Sequence, residues 1–159
     1  MQVLPDSSTI ISLAKTGSLH LLKKTFAEVW ITEEVEREVT FWNFSEVKEV
    51  KRSIGKWIKT LKVKTMNYRE FDGLGPGEKS ILSYGKGKNG VLLILDEIEA
   101  RAVAESERIS YTGTIGLIVF AHETRKVSKE EAIDIIKKLA RSDFRMTVEL
   151  YDWALERLK

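Results

Sequence analysis

"VLLILDEIEARAVAE", residues 91–105, changes character at its sixth position, and the fold follows from that change. Val91 to Leu95 are five apolar residues in a row, the pattern of an extended chain buried on both faces in a parallel sheet. Asp96 ends the run, and "EIEARAVAESE" (97–107) continues as a helix, so the stretch is one βα unit. The same alternation recurs outward from it. "MQVLP" runs to Asp6 and is followed by the helical "STIISLAKTG", which Gly17 stops; "SLHLLKKTF" is a second short helix. "EVWI" (28–31) precedes "EEVEREV", with Thr32 as its cap and Val35 and Val39 on its buried face. "SEVKEVKRSI" is helical, and "LKVKTM" (61–66) alternates like an edge strand. Pro76 suits the first turn of the helix "GEKSILSYGK", and "ISYT" (109–112) leads into the helix "GTIGLIVFAHET". Ser128 and Glu131 form a capping box for "KEEAIDIIKKLA". Thr147 caps "VELYDWALERL", with Leu150, Ala154 and Leu158 on one face. Strands alternating with helices specify an α/β fold, a parallel sheet covered on both sides. No repeat or linker divides the chain, which reads as a single domain over 1–159.

Composition narrows the chemistry. Hydrophobic residues make up 43% of the 159, enough for a core. Cysteine is absent, which excludes disulfides, thiolate zinc sites and thiol nucleophiles. One Gln, three Asn and abundant Lys and Glu point to a heat-adapted source. The longest apolar runs are too short to cross a bilayer and no charged leader precedes one, so a cytoplasmic chain without membrane contact is expected. A net charge of +2 does not by itself declare a nucleic-acid partner.

Ligands of parallel α/β sheets bind where the strands end and the next helices begin. Asp6 closes the first strand there, Asp96 closes "VLLIL", and Glu78 lies in the first turn of a helix starting on the same edge. Glu38 lies in the helix after "EVWI", with Glu34 one turn earlier on the same face. Four carboxylates, Asp6, Glu38, Glu78 and Asp96, thus reach one edge, as a hard cation such as Mg²⁺ or Mn²⁺ requires. Each also has a purely structural reading. Asp6 and Asp96 suit helix N-caps, Glu78 suits a helix dipole, and Glu38 suits an ion pair on a solvated face. Glu97 and Arg101 stand at the spacing of a helical ion pair. Convergence is what favours the metal reading. "DGLGPGEKS" (72–80) comes close to a phosphate-binding loop, but Glu78 replaces the required glycine and would repel phosphate, so that reading is excluded.

"DSSTIISLAKTGSLHLL", "VWITEEVEREV", "LGPGEKSILSYG", "VLLILDEIEARAVAE" and "TGTIGLI" together resemble the PIN domain, in its bacterial and archaeal branch related to VapC-type toxins. The resemblance covers about residues 3–121, with helices in 128–158 matching more loosely. It implies a three-layer α/β/α fold around a five-stranded parallel sheet, with Met1 to Pro5 between "VLLIL" and "EVWI". It further implies metal-dependent endoribonuclease activity leaving 5′-phosphate and 3′-hydroxyl ends. The carboxylates of Asp6, Glu38, Glu78 and Asp96 would hold Mg²⁺ or Mn²⁺. Ser8 matches a small polar residue after the first Asp, and Glu97 stands where many relatives carry a second Asp. Implied partners are the RNA substrate, a small antitoxin that plugs the acidic groove with Arg or Lys, and a second copy in a homodimer. Phe41, Trp42 and Trp153 supply apolar surface for such pairing.

Other features carry two readings. Thr112 and Thr114 border the acidic pocket, or else Gly113 and Thr114 simply start a helix. "KEVKRSIGKWIKTLKVK" (48–64) offers lysines and Trp57 to an RNA backbone and its bases, or else a solvated face. His20 and His122 have no spacing partner and are assigned no chemistry. The alternative to a nuclease is a non-catalytic PIN-like binding module acting through protein or RNA partners. A phosphatase with a nucleophilic Asp6 is disfavoured, because Ser8 breaks the D-x-D pattern.

Overall fold

The computed structural model describes residues 1–159. Its strands are β1 Gln2–Pro5, β2 Glu28–Thr32, β3 Ile58–Leu61, β4 Val91–Ile94 and β5 Tyr111–Thr112. They form one sheet in the order β3-β2-β1-β4-β5, every neighbour parallel. β1 therefore lies centrally between β4 and β2, as expected. Val3 and Leu4, which point to opposite faces, are both 0% exposed, as are Leu93 and Ile94, so helices cover both faces. This is a three-layer α/β/α fold.

The helices are α1 Ser7–Lys15, α2 His20–Thr25, α3 Glu33–Phe41, α4 Val47–Ser53, α5 Pro76–Gly85, α6 Ile98–Ser106, α7 Thr114–Glu123, α8 Lys129–Ala140 and α9 Val148–Arg157. A single 3₁₀ turn spans Arg69–Phe71. α1, α3 and α4 pack on one another, α5 bridges α3 and α6, and α7 packs on α2, α8 and α9. Gly17, at φ 67°, ends the first helix in a conformation that suits glycine. Thr32 and Thr147 cap α3 and α9 through their hydroxyls, and Val35 and Val39 are fully buried. A hydrophobic cluster of 38 buried residues includes side chains from β1 through Leu158.

Three local expectations are corrected. The edge strand is Ile58–Leu61, three residues earlier than its alternation suggested. The period continues past Leu61, but its partner does not: Thr32, paired with Leu61, leaves the sheet to start α3. The capping box of α8 is half formed. Ser128 accepts from the Glu131 amide, but the Glu131 carboxylate turns to His20 (3.0 Å) and Lys24 (2.9 Å) on α2. Finally, Trp57 is partly buried against the core, so it is no free stacking platform.

Candidate active site

Parallel register brings the strand ends level. Pro5 pairs with Ile94 and Ile94 with Thr112, so the residues that follow, Asp6, Asp96 and Thr114, share one edge. The Asp6 amide donates to Ile94 O (3.0 Å), and the Leu95 amide to Thr112 O (2.8 Å), extending the ladder into the loops.

Asp6 is the N-cap of α1 and only 2% exposed. Its Oδ1 accepts from the Thr9 amide (2.8 Å) and the Ser8 hydroxyl (3.1 Å). Its Oδ2 is buried with no partner at all. Burial first, and the charge of Asp96 second, push the carboxyl up to about 6 against the hydrogen bonds from Thr9 and Ser8. Capping therefore occupies one oxygen and leaves the other over. The helix-cap reading of Asp6 holds, and it accounts for only one of the two oxygens.

Asp96 does not cap its own helix, because Glu97 takes the N-cap position of α6 without a side-chain bond. Instead it reaches across to α7. Oδ1 accepts from the Thr114 amide (2.9 Å), and Oδ2 from the Thr114 hydroxyl (2.5 Å) and the Thr9 hydroxyl (3.3 Å). Thr9 thus joins the two aspartates, its amide to Asp6 and its hydroxyl to Asp96. The expected Glu97–Arg101 pair is replaced. The Arg101 guanidinium lies 3.6 Å from Asp96 Oδ1 and donates through Nε to Leu95 O (2.6 Å). It packs over Gly113, where any Cβ would collide with it and stand 3.1 Å from Asp96 Oδ1. Thr114 both starts α7 and holds Asp96, whereas the Thr112 hydroxyl sits against Gly116.

Glu78, in the first turn of α5, is raised by burial and then by the charge of Asp6, against the Gly75 amide, with Glu97 and Glu38 adding smaller pushes in the same direction. Four acids therefore act on it or are it. Glu38 is pinned differently: Oε1 accepts from the Gly77 amide (2.7 Å) and Oε2 from the Ser7 hydroxyl. It sits on the N-terminus of α5, where the helix dipole favours a carboxylate. Beside it lies a cavity of about 550 Å³ whose lining includes Glu34 and Glu38.

All four expected acids stand at this edge, coupled electrically, yet no group of three or more acidic or histidine side chains is close enough to hold a metal ion as arranged. The donor set nevertheless fits a hard cation: all oxygen, with a buried Asp6 oxygen lacking any proton donor and with Asp6 and Glu78 raised by burial and then by a neighbouring carboxylate. Thr9 and Gly77 escaped sequence reading, although the spacing of Thr9 from Asp6 is that of a capped amide. Arg101 was read only as a partner of Glu97, and Gly113 only as a helix start.

The chain is a parallel three-layer α/β/α protein with aspartates just past the ends of its first and fourth strands. A family profile described as a PIN domain matches residues 2–159, and the chain belongs to that family. No curated protein and no solved structure matches the chain. PIN domains are generally nucleases that use divalent metal ions, and no helix here is long and apolar enough to cross a membrane.

Proposed function

We propose that this chain, folded as one domain, is an Mg²⁺- or Mn²⁺-dependent endoribonuclease whose working residues are Asp6, Glu38, Glu78 and Asp96. The observation that carries the reading is the buried Asp6 Oδ2, which has no partner, in a carboxyl that feels the charge of Asp96 and in turn raises Glu78. A carboxylate placed so has a use for a cation and none for a second cap. Asp6 and Asp96 would hold the ion, with Glu78 beside them. When bound, it lowers the pKa of water and stabilises charge on the phosphate and leaving oxygen. Glu78, raised by burial and then by the charge of Asp6, would orient an attacking water and take its proton. Thr9 and Thr114 hold the two aspartates in place, and Ser8 steadies Asp6. Glu38 keeps α5, and with it Glu78, against α1.

We further propose a toxin role, with a small partner protein whose Arg or Lys enters the acidic groove, and a homodimer paired through the exposed Val148 and Trp153 of α9. A non-catalytic PIN-fold binding module is the second reading, favoured by the absence of three carboxylates already closed on one point.

Asp96→Asn separates the two. It keeps shape and removes charge, so a nuclease loses metal-dependent RNA cleavage by about 10²-fold or more. A binding module cleaves nothing in either form. Cleavage by Asp96→Asn at the wild-type rate ends the proposal.

A further inference from the structure

The 550 Å³ cavity beside the acids is of the size that takes a small ligand, roughly 300–1,000 Å³. Its lining continues from the acidic cluster and shares Glu38 with it. Ser7 and Ser8 directly follow Asp6, and Pro76 stands two residues before Glu78. Whatever fills it therefore lies next to anything held at the acidic edge. We propose that it is a nucleobase subsite and that the base it selects is guanine, in an RNA strand whose neighbouring phosphate lies at the acids. The position of that phosphate rests on the nuclease reading; the subsite does not.

Two aromatic residues at the end of α3 line the cavity, Phe41 at 78% and Trp42 at 46% exposed. Trp42 is stacked on Phe44 (5.5 Å, 16°) and meets Phe41 edge-on (5.3 Å, 83°), and Lys15 caps Phe44 at 5.4 Å. Such a braced ring loses little freedom when a base lies on it, and base–aromatic stacking is tolerant of sequence.

Selection comes from Glu34 and Arg37, which line the same cavity on the same helix. Glu34 Oε2 is buried and has no hydrogen-bond partner, while Arg37 Nη2 stands 3.4 Å from Oε1 and is otherwise exposed. A carboxylate with spare acceptor capacity demands N–H donors, and the guanidinium beside it demands an acceptor. Guanine alone presents two adjacent donors, N1–H and the N2 amino group, next to the O6 acceptor. Adenine and cytosine each offer one donor beside a ring nitrogen, and uracil offers a single N–H. Glu34 Oε2 is closed to solvent in the empty cavity, and the exposed Arg37, held to Oε1 only at 3.4 Å, can yield to an entering base edge. Arg37 then turns to O6.

The test uses the full chain without metal, titrated with the 5′-monophosphates of guanosine, adenosine, cytidine and uridine. Tryptophan emission reports binding, and a Trp42→Phe control assigns the change among the four tryptophans. Guanosine monophosphate should bind roughly tenfold tighter than the other three, in line with one bidentate base contact. Glu34→Gln should erase that preference. In these two variants, which lack the reporter ring, binding is read by calorimetry: Trp42→Ala should weaken all four nucleotides, and Trp42→Phe should bind them as the wild type does. Equal affinity for the four, or a guanine preference that survives Glu34→Gln, overturns the proposal. So does sedimentation showing that a second copy covers Phe41 and Trp42 and shuts nucleotides out. Mapping cuts on mixed-sequence RNA with Mg²⁺ separates the two readings. Guanine binding without cleavage upholds the subsite and ends the nuclease, whereas cleavage indifferent to guanine ends the subsite alone.

Discussion

Asp6 shows how a single residue serves two demands that conflict. Its Oδ1 satisfies the first turn of α1, which keeps the carboxyl buried, and burial then penalises the charge that its other oxygen needs for a cation. The carboxyl holds its proton to about 6 in the fold against an ordinary 3.8. The native state therefore binds more protons than the unfolded chain between those values. This contribution to stability is complete below about pH 4 and is lost as pH rises through about 6. A shift of about two units corresponds to roughly 3 kcal/mol at most. Asp6→Asn keeps a capping oxygen and has no charge to lose. Urea denaturation of metal-free protein from pH 4 to 7 should show the wild type falling relative to Asp6→Asn by roughly 2–3 kcal/mol. Parallel curves for the two proteins would mean that Asp6 is not strained by its charge.

Gly113 is the second instructive residue. Its backbone is ordinary, so its value is spatial: it leaves room for the Arg101 guanidinium against Asp96. Gly113→Ala should fold, because a flexible side-chain end can yield. It should nonetheless lower RNA cleavage by roughly tenfold as Asp96 loses its lateral support, a loss of order 1.4 kcal/mol. Wild-type cleavage in that variant would show that Arg101 does not steady Asp96.

At the scale of elements, Glu38 explains why α3 and α5 meet where they do. Its carboxylate takes the Gly77 amide at the start of α5 and the Ser7 hydroxyl at the start of α1, tying three helices at one point. A Cβ on Gly77 would stand 2.6–2.9 Å from that carboxylate, so only glycine allows the approach. Gly77→Ala should cost roughly 1–3 kcal/mol, the penalty of leaving a charge-assisted hydrogen bond unmade. The loss should be read in chemical denaturation and should largely vanish when Glu38→Ala is already present, because the clash partner is gone. Additive losses in that double-mutant cycle would refute the contact.

Across the whole molecule, the sheet is a scaffold that delivers charge to one edge and leaves it uncompensated. A cation that binds only the folded state stabilises it by mass action, roughly 2.7 kcal/mol at a hundredfold excess over Kd. Mn²⁺ should therefore raise the melting temperature of the wild type by several degrees and leave Asp96→Asn unmoved. An equal rise in both would place the ion elsewhere. Pairing through α9 should appear as a concentration-dependent dimer in sedimentation that Trp153→Ala dissolves. A monomer at every concentration would refute that assembly.

The apolar run Val91 to Leu95 and its acid boundary were enough to reveal a parallel α/β sheet. Burial on both faces is written in composition, and helix caps such as Thr32 and Thr147 act within a few residues of where they stand. The acids at the strand ends were legible for the same local reason. Their partners were not. Arg101 sits one turn from Glu97 and yet turns to Asp96, because Gly113, on another strand's loop, opens a space there. Asp96 caps α7 rather than its own helix, and Glu131 leaves its capping box for α2. The end of β3 was set by the departure of β2 at Thr32, not by its own alternation. Helix and strand identity depend on neighbours along the chain, whereas a charged side chain chooses among all groups within reach in space. Only the packed fold decides which those are.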